Sequence, residues 1–405
     1  MENNIKQLRG EWQRSFKNIT FIVTKDCQMA CKYCYLIGKN NSERMSWDVA
    51  KTAIDYILTN NDLFSEDAVV WDFIGGEPFL EISLIDKICD YLKEQMFKLK
   101  HPWFDSYRFS FSTNGLNYHT AEVQQFIKKN INHLSIGITI DGTKRKHDLN
   151  RIWKGNNEGT YDYVVRNIPL WQEQFPGAGT KVTISNADIP YISESVLHLY
   201  ALGIHEVNIN CVFEDVWHEG DDMLLEEQLL QLADSIIDGG YYNDYACSFF
   251  SESIGKPLDR ELDNQNWCGA GRMLSIDAAG NFYPCTRFAQ YSLRDKKAWI
   301  IGNVNDGIDK NKLRPFLTLD RCTQSRPECV DCEVASGCAW CQGENYDAAD
   351  TPTINQRAIA ICKMHKARVR ANNYYWNKLF RKLELEGIAK EEAKEHVKES
   401  HTKNC

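Results

Sequence analysis

An α/β fold is predicted for this chain: six β/α units around a parallel sheet, followed by a smaller cysteine-rich domain. Three observations carry the prediction. Six short β-like runs alternate with helical periodicities between about Asn18 and Cys211. The glycine-, cysteine- and charge-bearing segments fall just past the carboxyl ends of those runs. Eight of the fifteen cysteines then crowd into residues 268–362.

The candidate strands are ITFIV (19–23), VVWDF (69–73), YRFSFS (107–112), LSIGITI (134–140), KVTIS (181–185) and EVNIN (206–210). Between the first two, Val49, Ala50, Ala53, Ile54, Ile57 and Leu58 recur at helical spacing; after the second, Ile85, Ile88, Cys89, Leu92 and Met96 do so. Strands separated by helices imply right-handed crossovers and parallel pairing. The runs are apolar along most of their length, the pattern expected when both faces of a sheet are covered. DCQMACKYCY follows the first strand, IGGEP the second, STNG the third and DGTKRKHD the fourth, while Ser185 ends the fifth. In parallel β/α folds that end is where loops converge on a ligand.

The expected domains are an N-terminal extension (1–17), a core (18–211), a bridge (212–267), a cysteine-rich domain (268–362) and a C-terminal helical tail (363–405). The bridge should be helical around Leu224–Ile237, with a Gly-Gly break at 239–240. RKLELEGIAKEEAKEHVKES has the composition of a solvated helix with no site on it. With 405 residues, 43% hydrophobic, the chain can bury a sizeable core. A net charge of -9 argues against nonspecific nucleic-acid binding. No run approaches the roughly 20 apolar residues of a membrane helix, so a cytoplasmic location is expected, with no membrane partner. In that reducing setting fifteen cysteines point to metal or redox chemistry rather than disulfides.

Cys27, Cys31 and Cys34 form CxxxCxxC. Three thiolates hold three irons of a [4Fe–4S] cube and leave the fourth open to a small molecule. A zinc site would want a fourth Cys or His nearby, and none follows in the next dozen residues. The motif resembles the signature of the radical S-adenosylmethionine (SAM) superfamily, which implies a partial (β/α)6 TIM-like barrel with SAM chelated at the open iron. The resemblance implies that Tyr33 packs near the adenine and that Gly75, Gly76, Glu77 and Pro78 (GGEP) meet the SAM ammonium. It assigns Ser112 and Asn114 to the ribose, Thr139 to a polar SAM contact, Arg151 to the SAM carboxylate and Ser185 to the cofactor pocket. Glycines allow close backbone approach, and a guanidinium can bind a carboxylate bidentately. The plainer readings are turns, a packing tyrosine and surface charges.

In the second field, Cys268, Gly280 and Cys285 bracket MLSIDAAGNFYPC, a predicted hairpin turning at Ala-Gly-Asn, and ECVDCEVASGCAWC precedes Cys362. Spacing alone does not separate zinc from iron–sulfur. The order resembles a SPASM domain. That implies two auxiliary [4Fe–4S] clusters, three in all: one on Cys268, Cys285 and Cys341, the other on Cys329, Cys332, Cys338 and Cys362. Two residues separate Cys338 from Cys341 where the family pattern has three. The first auxiliary set then has either Cys322 as its fourth ligand or an open iron for a substrate thiolate. Cys89 reads as packing; Cys211, ending the sixth strand, is a candidate substrate neighbour; Cys247 and Cys405 give no signal.

Longer stretches, among them GEWQRSFKNITFIVTKDC, SIGITIDGTKRKHD, NWCGAG and CKMHKARVRANNYYWNKL, resemble peptide maturases whose targets carry Cys-x-x-x repeats. This freyrasin-type (ranthipeptide) resemblance implies a ribosomally made precursor in which Cys sulfur is joined to carbon, at the β-carbon of an Asp, to form a thioether. It also implies a low-potential electron donor such as flavodoxin or ferredoxin. HKARVRANNYYW is either a basic peptide-contact face or an ordinary amphipathic helix. About 26 residues precede Cys27, too few for an N-terminal leader-binding domain. No general base is nominated from the sequence. The alternatives are sulfatase maturation, carbon–carbon crosslinking, epimerisation, or a non-catalytic iron–sulfur or zinc protein.

Overall fold

A computed structural model describes residues 16–258, 268–350 and 357–385. All six expected strands are present: β1 Lys17–Thr24, β2 Val69–Gly75, β3 Tyr107–Thr113, β4 Leu134–Ile138, β5 Thr180–Ile184 and β6 Glu206–Cys211. The helices between them include α1 (Trp47–Thr59), α2 (Ile82–Lys98), α3 (Ala121–Asn130), α4 (Lys144–Asn150) and α5 (Ile192–Ala201). The periodicities bury as expected: Ala50, Ala53, Ile54, Ile57 and Leu58 on α1, and Ile85, Ile88, Cys89, Leu92 and Met96 on α2.

The strands fall into two hydrogen-bonded sheets rather than one. In the first, β1 to β4 pair in parallel and in sequence order. In the second, β5 and β6 pair in parallel with a short β7 (Ala246–Cys247) beyond them. The seam between β4 and β5 is closed by a side chain. Thr180 Oγ1 donates to the Ile138 carbonyl at 2.7 Å and accepts from the Ile140 amide at 3.1 Å. A buried hydroxyl there satisfies backbone groups that a ladder would otherwise pair.

The two faces of the strands differ, which corrects the expectation of strands apolar on both sides. Phe21, Phe73 and Phe111 occupy one register row, stack at 5.7 and 5.2 Å, and meet Phe126 of α3 edge-on. Burial of each such side chain contributes about 1.5–3 kcal/mol. The opposite face carries Thr20, Asp72, Ser110, Ser112, Lys181 and Asn208, the alternate positions on the same strands.

The expected hairpin forms as β8 (Leu274–Ile276) and β9 (Asn281–Tyr283). It is no detached module: β8 pairs in parallel with β1, and β10 (Gly302–Asn303) and β11 (Gly307–Ile308) extend the same sheet. The bridge helix α6 runs Asp221–Asp238, followed later by α7 (Gln342–Ala348) and α8 (Cys362–Leu385). Residues 363–385 of the expected helical tail are helical, and they are packed, including the first residues of the RKLEL segment expected to be solvated. Helix α8 buries Met364, Ala367, Val369, Ala371, Tyr375, Leu379 and Leu383, and ties to α6 through Arg370–Glu226 and Lys378–Asp234. The HKARVRANNYYW segment is thus a packing helix, in which Arg368 donates to the carbonyls of Ser248 and Phe249. The later tail residues, with Cys405, lie outside the described residues. No helix among the described residues is long and apolar enough to cross a membrane.

Candidate metal and cofactor site

The loop after β1 is pinned from two sides. Gly76 N donates to Thr24 O at 3.0 Å and Glu77 N to Asp26 O at 2.9 Å, while Ala30 N and Lys32 N reach Ile152 O and Asn150 O. The glycines are required here: a Cβ on Gly75 would stand 2.0 Å from Thr24 O, and one on Gly76 2.1 Å from Asp26 O. Cys27 is buried, and Cys31 and Cys34 are partly so. Burial pushes the Cys27 thiol up to about 11, with Glu77 adding to the effect. Lys39 faces all three cysteines. Burial works against its charge, yet Cys34, Cys31 and Cys27 together hold it above its ordinary value. Three thiols gathered around one cation fit a site that binds as thiolates.

Around this loop the predicted SAM residues occupy distinct places. Glu77 is buried and fully engaged: its carboxylate accepts from Thr113 Oγ1 at 2.7 Å, Asn114 N at 2.7 Å and Phe79 N at 3.1 Å. Its side chain therefore braces the β2 and β3 ends, and Pro78 begins the turn that follows. Glu77→Gln turns an acceptor into a donor against these groups. It is expected to cost about 1–3 kcal/mol, read as a lowered denaturation midpoint. Asn114 Nδ2 lies 3.8 Å from Cys27 Sγ. Ser112 points the other way, onto the polar face of the sheet, and Thr139 lines the same cleft there.

Tyr33 donates to Asp141 Oδ2 at 2.5 Å and accepts from Arg151 Nη1 at 3.0 Å. Arg151 is buried, its Nη2 is 3.6 Å from Met29 Sδ, and its Nε has no hydrogen-bond partner. Asp141 is fixed in turn by His147, whose Nδ1 accepts the Asp141 amide. Burial, then Arg151 and Lys146, keep His147 uncharged and able to accept. Sequence reading missed Met29, Lys39 and Asp141; only the TIDG turn hinted at the last. Ser185 is the first residue of a capping box with Asp188. It lines a cleft of about 420 Å³ with Tyr33, Cys34, Asn150, Ser292 and Arg294.

The later cysteines form two groups. Gln342 N donates to Cys268 Sγ at 3.3 Å. Cys341 is pulled down to about 6 by its hydrogen bond with Cys268, against burial and with Arg287 helping. Cys285 feels the Cys341 charge as well. Cys268, Cys285 and Cys341 are thus neighbours. Cys322 sits on a short helix, Arg321–Gln324, whose Gln324 Oε1 accepts from Gln342 Nε2 at 3.4 Å, adjacent to Cys341. Separately, Cys329, Cys332, Cys338 and Cys362 line one cavity of about 140 Å³ walled by Ala335, Ala339, Ile359 and Ile361. Among the described residues no three His, Cys, Asp or Glu side chains close on one point as a single metal ion requires. Arg287 joins the halves: it pairs with Glu214 and Glu344 at 2.9 and 2.8 Å and lies 4.8 Å over the Tyr35 ring.

Comparison with known structures decides the fold. The chain superposes on native anSMEcpe with bound AdoMet, TM-score 0.64 at 17% identity, covering 89% of this chain and 99% of that one. The chain has the radical SAM fold. Streptococcus suis SuiB bound to precursor peptide SuiA gives TM-score 0.53 at 15% identity, covering 84% and 74%. A family model described as "4Fe-4S single cluster domain" matches residues 10–159, the stretch holding Cys27, Cys31 and Cys34. In sequence the chain is similar to an uncharacterized protein of Methanocaldococcus jannaschii, 27% identical over 74% of this chain and 91% of that protein. It is also similar to a cysteine-type anaerobic sulfatase-maturating enzyme of Clostridium novyi, 26% identical over 36% and 38%, and to the radical SAM cyclopropyl synthase TigE of Paramaledivibacter caminithermalis, 19% identical over 82% and 68%.

On this radical SAM fold the residues fit the implied groups: three thiols at one loop, a buried guanidinium with a free N–H, and two further thiol sets. Cys211 does not join them. It shares the face of Val207 and Ile209, buried toward the helices, so it does not face the polar side of the sheet. Cys89 is buried on the apolar face of α2, and Cys247 is buried on β7.

Proposed function

We propose that the protein is a radical SAM maturase of a cysteine-bearing peptide, joining a Cys sulfur to an acceptor carbon, the β-carbon of an Asp, as a thioether. In this reading Cys27, Cys31 and Cys34 hold the SAM-binding cluster and Arg151 presents its free Nε to the SAM carboxylate. Asn114 and Tyr33 bound the cofactor, and the two downstream thiol sets hold auxiliary clusters. SAM bound at such a cluster supplies a strong hydrogen-atom abstractor. The observation that carries the proposal is the four-thiol cavity of Cys329, Cys332, Cys338 and Cys362, standing beside a second trio and distinct from the first loop. The cleft at Cys34 is lined from both the first cysteine loop and the cysteine-rich domain, which suits a peptide laid between them. A low-potential flavodoxin or ferredoxin would deliver the electron.

The test uses anaerobically reconstituted enzyme, SAM, reductant and a precursor with evenly spaced Cys and Asp residues. Loss of two hydrogens with the thiols closed to alkylation is expected. The same mass loss with thiols still free sinks the thioether reading. Sulfatase maturation is the second reading, favoured by the similarity to sulfatase-maturating enzymes of Clostridium novyi and Bacteroides thetaiotaomicron. It predicts conversion of a single Cys or Ser in a sulfatase peptide to an aldehyde.

A further inference from the structure

A buried charge on the wall of the four-thiol cavity has no assigned task. Arg357, 4% exposed, gives its Nη2 to Cys338 Sγ at 3.1 Å and its Nη1 to Ser325 Oγ at 3.2 Å. Ser325 ends the short helix Arg321–Gln324. The next residue is pinned as well: Ala358 N donates to Oδ1 of the buried Asn345 on α7 at 2.9 Å. The guanidinium is therefore held on the sulfur by its own second hydrogen bond and by the backbone beside it.

A buried cation normally answers a carboxylate. Among the described residues no carboxylate pairs with Arg357. Glu328 and Lys366 also line the cavity, but both are exposed and screened by solvent. Arg368, another cation that feels Cys338, gives its Nε and Nη2 to the Phe249 and Ser248 carbonyls. Burial raises the Cys329 thiol, and Arg357 works against that rise, so its charge reaches a second thiol of the set. Neutral amides meet sulfurs of the other sets: Met29 N donates to Cys27 Sγ and Gln342 N to Cys268 Sγ, each at 3.3 Å. A hydrogen bond from a full charge to a thiolate is shorter and stronger.

We infer that Arg357 sets the reduction potential of the cluster held by Cys329, Cys332, Cys338 and Cys362, raising it so that an electron comes to rest in this cavity. This rests on the reading above that these four thiols hold a [4Fe–4S] cluster. Uptake of one electron adds one negative charge to the cluster and its thiolates, and a fixed guanidinium in a dry wall stabilises the more negative state. Under the maturase reading that electron has a source: a carbon radical closing onto a thiolate forms one C–S bond and releases one electron, which passes to the cluster.

The test is a redox titration of the anaerobically reconstituted full chain, without SAM or peptide, followed by EPR of the reduced clusters. Cys362→Ala marks the signal that belongs to this cavity. In Arg357→Met, matched to wild type in iron content, that signal should titrate at a lower potential. Its reduction equilibrium is expected to be at least about tenfold less favourable, or about 59 mV for one electron. Arg357→Lys should recover part of the shift, and the signals that survive in Cys362→Ala should stay at their wild-type potentials. Arg357→Gln keeps an N–H donor without the charge; it should move in the same direction and takes the place of a Met variant that fails to bind iron. A Cys362-dependent signal that titrates alike in wild type and the neutral variants overturns the role of Arg357 and leaves the cluster reading standing. Equal shifts of every signal also overturn it, because they report a general disturbance. Iron content and signals unchanged by Cys362→Ala remove the cluster from this cavity, and the role of Arg357 with it.

Discussion

Replacing Cys31 with Ala is expected to remove about four irons per chain and to bring 5′-deoxyadenosine formation from SAM under strong reductant to background. The effect is large because the loop supplies only three thiols. In the proposed reading two would be too few to hold a cube whose fourth corner is left for SAM. Iron loss alone does not identify this site, since Cys362→Ala should lose a similar amount from the four-thiol cavity. The EPR response to SAM separates them: absent in Cys31→Ala, retained in Cys362→Ala. Cys89→Ala, a buried thiol on the apolar face of α2, should keep all its iron. A Cys31→Ala protein whose cluster signal still shifts on adding SAM would mean that the cofactor binds elsewhere.

Much of the architecture was legible because it is carried by local signals. The six strands and the buried stripes of α1 and α2 follow from period-two and helical spacing, and GGEP sits where two glycines are sterically required. What was misread is also physical. YRFSFS and EVNIN alternate strictly, with Arg108, Ser110 and Ser112, then Asn208 and Asn210, on one face; reading them as apolar along most of their length hid a polar-lined cleft. The same alternation would have turned Cys211 away from the cleft. The amphipathic reading of HKARVRANNYYW holds in α8, whereas the start of the Lys/Glu-rich RKLEL segment, expected to be solvated, still buries Leu383. Long-range partnerships left no local trace. Thr180 bridging β4 to β5, β8 joining β1, and Tyr33 clasped by Asp141 and Arg151 link residues about 40 to 250 positions apart, which no periodicity reports.

Lys146→Met is expected to destabilise the fold by about 3–5 kcal/mol, among the largest single-residue effects available here. Lys146 Nζ donates to Asp188 Oδ2 at 3.0 Å and to the Thr183 carbonyl at 2.9 Å, and both side chains are 0% exposed. Removing the ammonium leaves a carboxylate in a dry interior with only Asn150 Nδ2 and Ser185 N as donors. Burial already pushes Asp188 above the ordinary carboxylate range, and Lys146 is what opposes that rise. Without it the folded-state pKa climbs further above the unfolded one. The folded variant then binds the extra proton, so its deficit is small below the unfolded pKa and grows as pH rises through the folded value. Denaturant midpoints measured from pH 5 to 8 should therefore diverge from wild type with increasing pH, and a flat difference would show that lost packing rather than charge is responsible. Lys146→Met/Asp188→Leu should recover part of the loss, because replacing both partners removes the stranded charge. The pair also holds the site. Asp188 caps Ser185 and fixes Asn150, two residues lining the cleft at Cys34, so the single variant should weaken peptide binding even where it remains folded.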